Sequence, residues 1–320
     1  MKYNWSIIGH EKQLKQIEQD FASGNVAHAY LLAGPNSIGK FTVAKKMAGI
    51  LQCEKDFCHE CTTCTQVLKG SHIDTTELKG KDSIKIAEMR KVVEKFSRTG
   101  QSKYKILLMQ SVERMTIPAA NSFLKTLEEP SGNTVFIMTT NNIGDVLPTI
   151  LSRVRTVKFG NVSLKYLQGK MKELYPDSTE DVLRKVALFS MGKTGKALNL
   201  MENPDHLVEC VEVYNKVQNF LEYRDVVERF SYVSELVEEE RVETFCTMLT
   251  HVLRAKILQG DGETMRYIKT LSKIHDSAML LKKNVNKKLV LENLMLALGR
   301  LLDSMCGTHL SQLKFRIMKK

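Results

Sequence analysis

The sequence predicts an α/β domain built on a parallel sheet and followed by helices alone. Three observations predict it. Residues 29–33, Ala-Tyr-Leu-Leu-Ala, form a short apolar run that ends at Gly34 and enters a glycine-containing loop, and a helical pattern begins directly after that loop. Two more apolar runs, residues 104–109 and 134–138, alternate with amphipathic helical stretches, the arrangement that builds a parallel sheet. Beyond residue 160 strand signals fade and helical periodicity continues to the end of the 320 residues.

The elements follow in order. Residues 11–21 have helical spacing and Gly24 is placed to end that helix. Residues 29–33 read as a buried strand, and 42–51 as the helix after the loop. Ser83 reads as the N-cap of an amphipathic helix over 84–96. Residues 104–109 are a second strand. Residues 119–128 are a helix that must stop before Pro130. Residues 134–138 are a third strand, ending at Thr139-Thr140-Asn141-Asn142, and 155–159 a fourth. Further helices are expected at 179–189 and 195–201, with Gly192 and Gly195 interrupting the pattern, and then at 207–220, 242–258, 264–281 and 288–305. In a parallel sheet ligands bind beyond the carboxyl ends of the strands, which gathers residues 34–40, 110–113 and 139–142 at one edge.

Residues 34–40 read Gly-Pro-Asn-Ser-Ile-Gly-Lys, the opening of a phosphate-binding loop, but Phe41 stands where the motif has Ser or Thr. The backbone cradle and Lys40 are kept; the hydroxyl that ligates a metal is lost. Thr42 lies one residue on, a turn of about 100° around the helix, and should point elsewhere.

Cys53, Cys58, Cys61 and Cys64 fall within one short segment, residues 53–64. Four thiolates at such spacing close a tetrahedron around Zn²⁺ with no open position, which is a structural rather than a catalytic site. His59 is a possible substitute ligand, and four unrelated thiols or a redox pair is the alternative reading. Cys210, Cys246 and Cys306 stand singly in helical sequence and read as small core residues. Seven Cys without an apolar leader argue for reduced thiols or metal ligands, not disulfides. The 47 basic and 36 acidic residues give a net charge of +11, which suits a polyanionic neighbour such as nucleic acid and equally a solvated basic surface. No apolar run approaches the ~20 residues of a membrane span, so a cytoplasmic protein with no membrane partner is expected.

Several phrases in the chain carry a family resemblance. They are Ile8-Gly9-His10-Glu11, His28-Ala-Tyr-Leu-Leu-Ala-Gly-Pro35, the four-cysteine knuckle, and Ala119-Ala-Asn-Ser-Phe-Leu-Lys-Thr-Leu-Glu-Glu-Pro130. Leu147-Pro-Thr-Ile-Leu-Ser-Arg153, Gly192-Lys-Thr-Gly-Lys-Ala-Leu198 and, more loosely, Asn286-Lys-Lys-Leu-Val-Leu-Glu-Asn-Leu294 continue them. Together they resemble the AAA+ clamp-loader subunits of bacterial DNA polymerase III, and among these the delta-prime type. The resemblance implies an AAA+ P-loop domain over residues 1–160 with the zinc knuckle inserted, a small helical lid over 161–203, and a helical oligomerisation collar over 204–320.

It also implies roles for residues. Active relatives end the strand before residue 110 in an acidic pair that holds Mg²⁺ and activates water; here Gln110 and Ser111 occupy those two positions, and Glu113 is expected to face another way. Gly34, Gly39, Lys40 and Thr42 would form a degenerate nucleotide site that binds ATP or ADP weakly or not at all, with Asn141 and Lys196 at the family's two nucleotide-sensing positions. Arg153, in Ser152-Arg153-Val154, matches an arginine finger that reaches the ATP of a neighbouring subunit. The implied protein turns over no ATP of its own. Its partners are the gamma/tau ATPase subunits and the delta subunit, with the sliding clamp and primed DNA engaged through the complex. A subunit that hydrolyses ATP, and a zinc-dependent DNA-binding module, are the alternatives.

Overall fold

A computed structural model describes residues 2–79, 83–222, 226–238, 241–259, 264–281 and 285–302. By its internal contacts the chain divides into two compact units, Met1–Glu202 and Asn203–Lys320.

The first unit opens with helix α1 (Glu11–Ala22) and strand β1 (Ala29–Ala33), and continues through α2 (Lys40–Gln52), α3 (Thr62–Lys69), β2 (Thr75–Lys79), α4 (Ile86–Ser97) and β3 (Lys105–Gln110). Then come α5 (Ile117–Glu128), β4 (Thr134–Thr140), the single-turn α6 (Pro148–Leu151), β5 (Arg155–Lys158), α7 (Leu164–Leu174), α8 (Glu180–Ser190) and α9 (Thr194–Glu202). The five strands form one sheet in the order β2-β3-β4-β1-β5, and every pairing is parallel. Tyr30 sits between Ile137 and Arg155 in register.

β1 and β4 are buried along their whole length, because helices cover both faces of the sheet. Period-two alternation sorts their side chains. Tyr30, Leu32, Ile106, Leu108, Ile137 and Val157 face α1, α2 and the cysteine segment. Ala29, Leu31, Leu107, Met109, Phe136 and Met138 face α4 and α5. This sandwich holds the carboxyl edge of β1, β3 and β4 rigid, and the loops of interest leave from that edge.

One expectation about these elements needs correction, and two elements carried no expectation. The helix placed at 84–96 starts two residues later, with Lys85 and not Ser83 at its N-cap. Ile84 is extended: its N–H donates to the Arg114 carbonyl (2.9 Å) and its carbonyl accepts from the Thr116 N–H (3.1 Å), which binds it to the segment before α5. β2 was not anticipated. Its sequence, Thr-Thr-Glu-Leu-Lys, is that of a half-buried edge strand and carries no apolar run. The short α3 also lacked a sequence signal; it starts where the Cys61 Sγ accepts from the Cys64 N–H.

The second unit is helical in its described residues: α10 (Pro204–Glu222), α11 (Val226–Glu238), α12 (Val242–Gln259), α13 (Thr264–Leu281) and α14 (Lys287–Leu302). Phe220, Tyr232 and Phe245 form its aromatic centre, with ring centroids 5.4–5.9 Å apart. Cys246 is buried and Cys210 half-buried; Cys306 and the expected last turn of the final helix lie outside the described residues. Among the described residues no helix is long and apolar enough to cross a membrane.

Candidate functional site

The loop between β1 and α2 is shaped by its backbone. Gly34 has φ +156°, and a Cβ there would lie 2.2 Å from the Phe159 carbonyl oxygen, so the chain passes too close to β5 for any side chain. Gly39 takes the left-handed φ of +88° and starts α2 with no side-chain cap. The first N–H groups of α2 therefore keep their capacity to bind an anion.

Lys40 is turned inward. Its Nζ donates to the carbonyls of Gly34 and Pro35 (2.7 Å each) and to Asn141 Oδ1 (3.1 Å). Burial pulls its pKa down from 10.5 to about 8, the nearby Glu113 carboxylate opposes that shift, and Lys193 adds to it. Asn141, at the end of β4, joins the loop to β3: its backbone N–H (3.2 Å) and its Nδ2 (3.1 Å) both donate to Glu113 Oε1. Glu113, expected to face away, thus faces the site. Ser111 adopts a left-handed φ of +58°, and the turn Val112–Arg114 swings the chain back over the sheet edge. Neither signal is readable from strand periodicity.

Gln110 is exposed at the end of β3, and Ser111 is buried with its N–H held by Thr139 Oγ1 (3.1 Å). No carboxylate occupies either position. The Phe41 ring lies beneath two ammonium groups, Lys45 at 5.9 Å and Lys79 at 5.6 Å, which both pair with Glu77. Thr42 is exposed.

The start of α9 rests on the loop. The Lys196 N–H donates to the Ser37 carbonyl (3.1 Å) and Thr194 Oγ1 to the Ile38 carbonyl (3.2 Å). Gly195 lets them approach, since a Cβ there would lie 2.9 Å from the Ser37 carbonyl oxygen. Lys193 and Lys196 are both half-buried here, and burial together with the Lys196 charge lowers the Lys193 pKa. Lys193 was not singled out from the sequence. Beside the loop, residues 9–13 and 160–163 together with Tyr166 line a cleft of about 400 Å³.

Arg153 lies at the end of α6, away from this loop in sequence and in hydrogen bonding. Its Nε donates to Glu128 Oε1 (2.6 Å), its second terminal nitrogen pairs with the same oxygen, and Nη1 donates to the Thr149 carbonyl and to Ser152 Oγ (2.9 Å each). The side chain remains 35% exposed. Arg155, by contrast, pairs with the buried Asp20 (2.7 Å), which also accepts from the Tyr30 hydroxyl (3.2 Å).

The four knuckle cysteines converge. Sγ separations are 3.9 Å for Cys53–Cys58, 3.8 Å for Cys53–Cys61 and 4.0 Å for Cys58–Cys64, and all four sulfurs lie within 4.8 Å of one another. A tetrahedron with metal–sulfur bonds of about 2.3 Å has edges of about 3.8 Å, so the donor set fits a four-coordinate ion. Backbone N–H groups of Glu60 and Cys61 pull the Cys58 thiol down to about 6, towards the thiolate a metal requires. Phe57, at left-handed φ +68°, locks the knuckle to α2 by packing on Gly49, where a Cβ would lie 2.2 Å from its ring.

A parallel sheet in this order, with a phosphate loop leaving its central region and a helical segment resting on that loop, defines a P-loop domain of the AAA+ class. A gamma subunit-related protein of DNA polymerase III from Thermotoga maritima shares the fold: TM-score 0.50 at 20% identity, covering 91% of this chain and 99% of that one. Residues 9–163 match the family described as DNA polymerase III, delta subunit. DNA polymerase III subunit gamma from two Buchnera aphidicola strains is 31% identical over 215 residues and 30% identical over 244. These matches cover 64% and 70% of this chain, and 60% and 67% of the relatives' own lengths. The delta' subunit of Bacillus subtilis is 31% identical over 180 residues, 54% of this chain and 55% of that subunit. The chain belongs to the clamp-loader family of DNA polymerase III.

Proposed function

We propose that this chain is a non-catalytic subunit of the delta-prime type in the clamp loader of DNA polymerase III. It assembles with gamma/tau-type ATPase subunits and a delta subunit, supplies Arg153 to a neighbour's ATP, and takes part in placing the sliding clamp on primed DNA in the cytoplasm. In this reading residues 1–160 are the AAA+ domain, 161–203 the lid and 204–320 the collar through which subunits assemble. Zn²⁺ held by Cys53, Cys58, Cys61 and Cys64 is structural.

The observation that carries this reading is the pairing of a disabled centre with a retained arginine. Phe41, Gln110 and Ser111 stand at the three positions that would ligate metal or activate water, while Arg153 stays partly exposed at the end of α6. Phe, Gln and Ser offer no carboxylate to a metal or to a water proton. A guanidinium set against a transferring phosphoryl group offsets the charge that develops on it, an effect of roughly 10³–10⁵ in rate. Gly34, Gly39, Lys40, Thr42, Asn141 and Lys196 would then belong to a relict nucleotide site. The gamma relatives match over more of their length than the delta' relative does, and this favours a second reading, an ATP-hydrolysing subunit.

The experiment compares ATP hydrolysis by the chain alone and by its complex with the motor subunit, each with and without Arg153→Ala. The expected result is no turnover alone and a large loss in the variant complex. Brisk turnover by the isolated chain selects the second reading, and an unaltered complex rate removes the finger.

A further inference from the structure

We propose that Glu113 decides whether the loop accepts a nucleoside triphosphate, because its carboxylate already holds both donors of Asn141, the residue that also takes one hydrogen bond from Lys40. This rests on reading residues 34–40 as a nucleotide site.

An ammonium group has three donors and no acceptor. In Lys40 all three are committed within the protein, to Gly34 O, Pro35 O and Asn141 Oδ1. Asn141 then directs both its backbone N–H and its Nδ2 at a single oxygen, Glu113 Oε1. The loop, the end of β4 and the turn after β3 are thereby tied into one chain of charge and hydrogen bonds that ends on a carboxylate. A terminal phosphate in a loop of this kind needs the lysine ammonium, and in the reading proposed above Asn141 is its second donor. Here the lysine donors are already spent on internal oxygens, and those of Asn141 on an internal anion.

The second oxygen, Glu113 Oε2, is buried and has no hydrogen-bond partner. Glu113 as a whole is half-buried, and its unpaired carboxylate oxygen repels an incoming anion. The repulsion weighs most on the phosphate that lies nearest. A triphosphate meets it fully, and a diphosphate, lacking the terminal group, meets less of it. Glu113 is therefore a specificity-determining residue: it holds Asn141, and through it Lys40, in internal contacts and disfavours ATP more than ADP.

The test is titration of the isolated full-length chain with MgATP and with MgADP by calorimetry, for wild type, Glu113→Gln and Glu113→Ala. Glu113→Gln keeps size and an acceptor oxygen and removes the charge; circular dichroism melts without nucleotide verify folding, and Glu113→Ala serves if the amide is not tolerated. The expected result is an ATP affinity at least about tenfold tighter in the variants, with ADP changed less than about threefold. Unchanged ATP affinity, weaker binding of both nucleotides, or equal gains for both overturn the proposal. Adding Lys40→Ala to Glu113→Gln separates the two levels of inference. If binding survives that change, the loop is not the nucleotide site and the reading beneath the proposal fails, not the proposal alone.

Discussion

Arg153→Ala in the assembled clamp loader is the sharpest perturbation, because its effects on stability and on rate differ by orders of magnitude. Within the chain, Arg153 is bound to Glu128 with side chains 35% and 44% exposed. Ion pairs this open contribute about 0.2–1 kcal/mol. For a domain of this size, such a loss moves the melting temperature by no more than about 4 °C. A finger contributes roughly 10³–10⁵ in the neighbour's rate, or about 4–7 kcal/mol at 1.36 kcal/mol per tenfold. Glu128→Gln removes the same ion pair and leaves the guanidinium in place. It is expected to change stability as little as Arg153→Ala does, and to leave the rate within about fivefold of wild type, since the pair it abolishes is worth no more than about 1 kcal/mol. The assay is steady-state ATP hydrolysis by the reconstituted complex with primed DNA and clamp, beside melting curves of the isolated chain. A loss of less than tenfold in Arg153→Ala refutes the reasoning. So does a Glu128→Gln complex as slow as Arg153→Ala, because then the carboxylate, not the arginine alone, acts in the rate-limiting step.

Other outcomes follow from the same contacts. Purified protein is expected to hold one equivalent of zinc by mass spectrometry, and Cys61→Ser to lose it together with several degrees of melting temperature; a metal-free wild type of equal stability would remove the structural-zinc reading. Gly34→Ala forces a Cβ to within 2.2 Å of the Phe159 carbonyl oxygen, so urea unfolding should show a loss of at least about 2 kcal/mol. The Lys40 pKa is lowered in the folded state, from 10.5 to about 8, so the unfolded chain holds more protons between those values and this residue's contribution to stability rises with pH across that window. Lys40→Met should abolish that part of the rise in denaturation measurements between pH 8 and 10; an identical pH profile in the variant would contradict the burial of the ammonium.

Much of the fold was legible because burial on both faces writes itself into sequence. β1, β3 and β4 are nearly unbroken apolar runs, and the glycine loop between β1 and α2 marks the edge on which they converge. β2 was hidden because an edge strand needs only one partner, and its Glu77 is served by two lysines instead of a core. The knuckle was legible from spacing alone, since four thiols brought to metal-ligand distance leave few other arrangements. Glu113 was not. Strand periodicity places it facing away, and only the left-handed Ser111 and the turn that follows return it to Asn141. The inward fold of Lys40 was equally invisible, because two of its three partners are main-chain carbonyls that any residue would supply.

The absence of a side chain at Gly195 lets α9 share hydrogen bonds with the phosphate loop instead of facing it across solvent. The two segments are therefore geared. Anything that spreads residues 37–39 must either break the Thr194 and Lys196 contacts or carry the helix along with the loop. A small displacement of residues 37–39 that keeps those contacts tilts a nine-residue rod, so the far end of α9 would travel further than the loop atoms themselves.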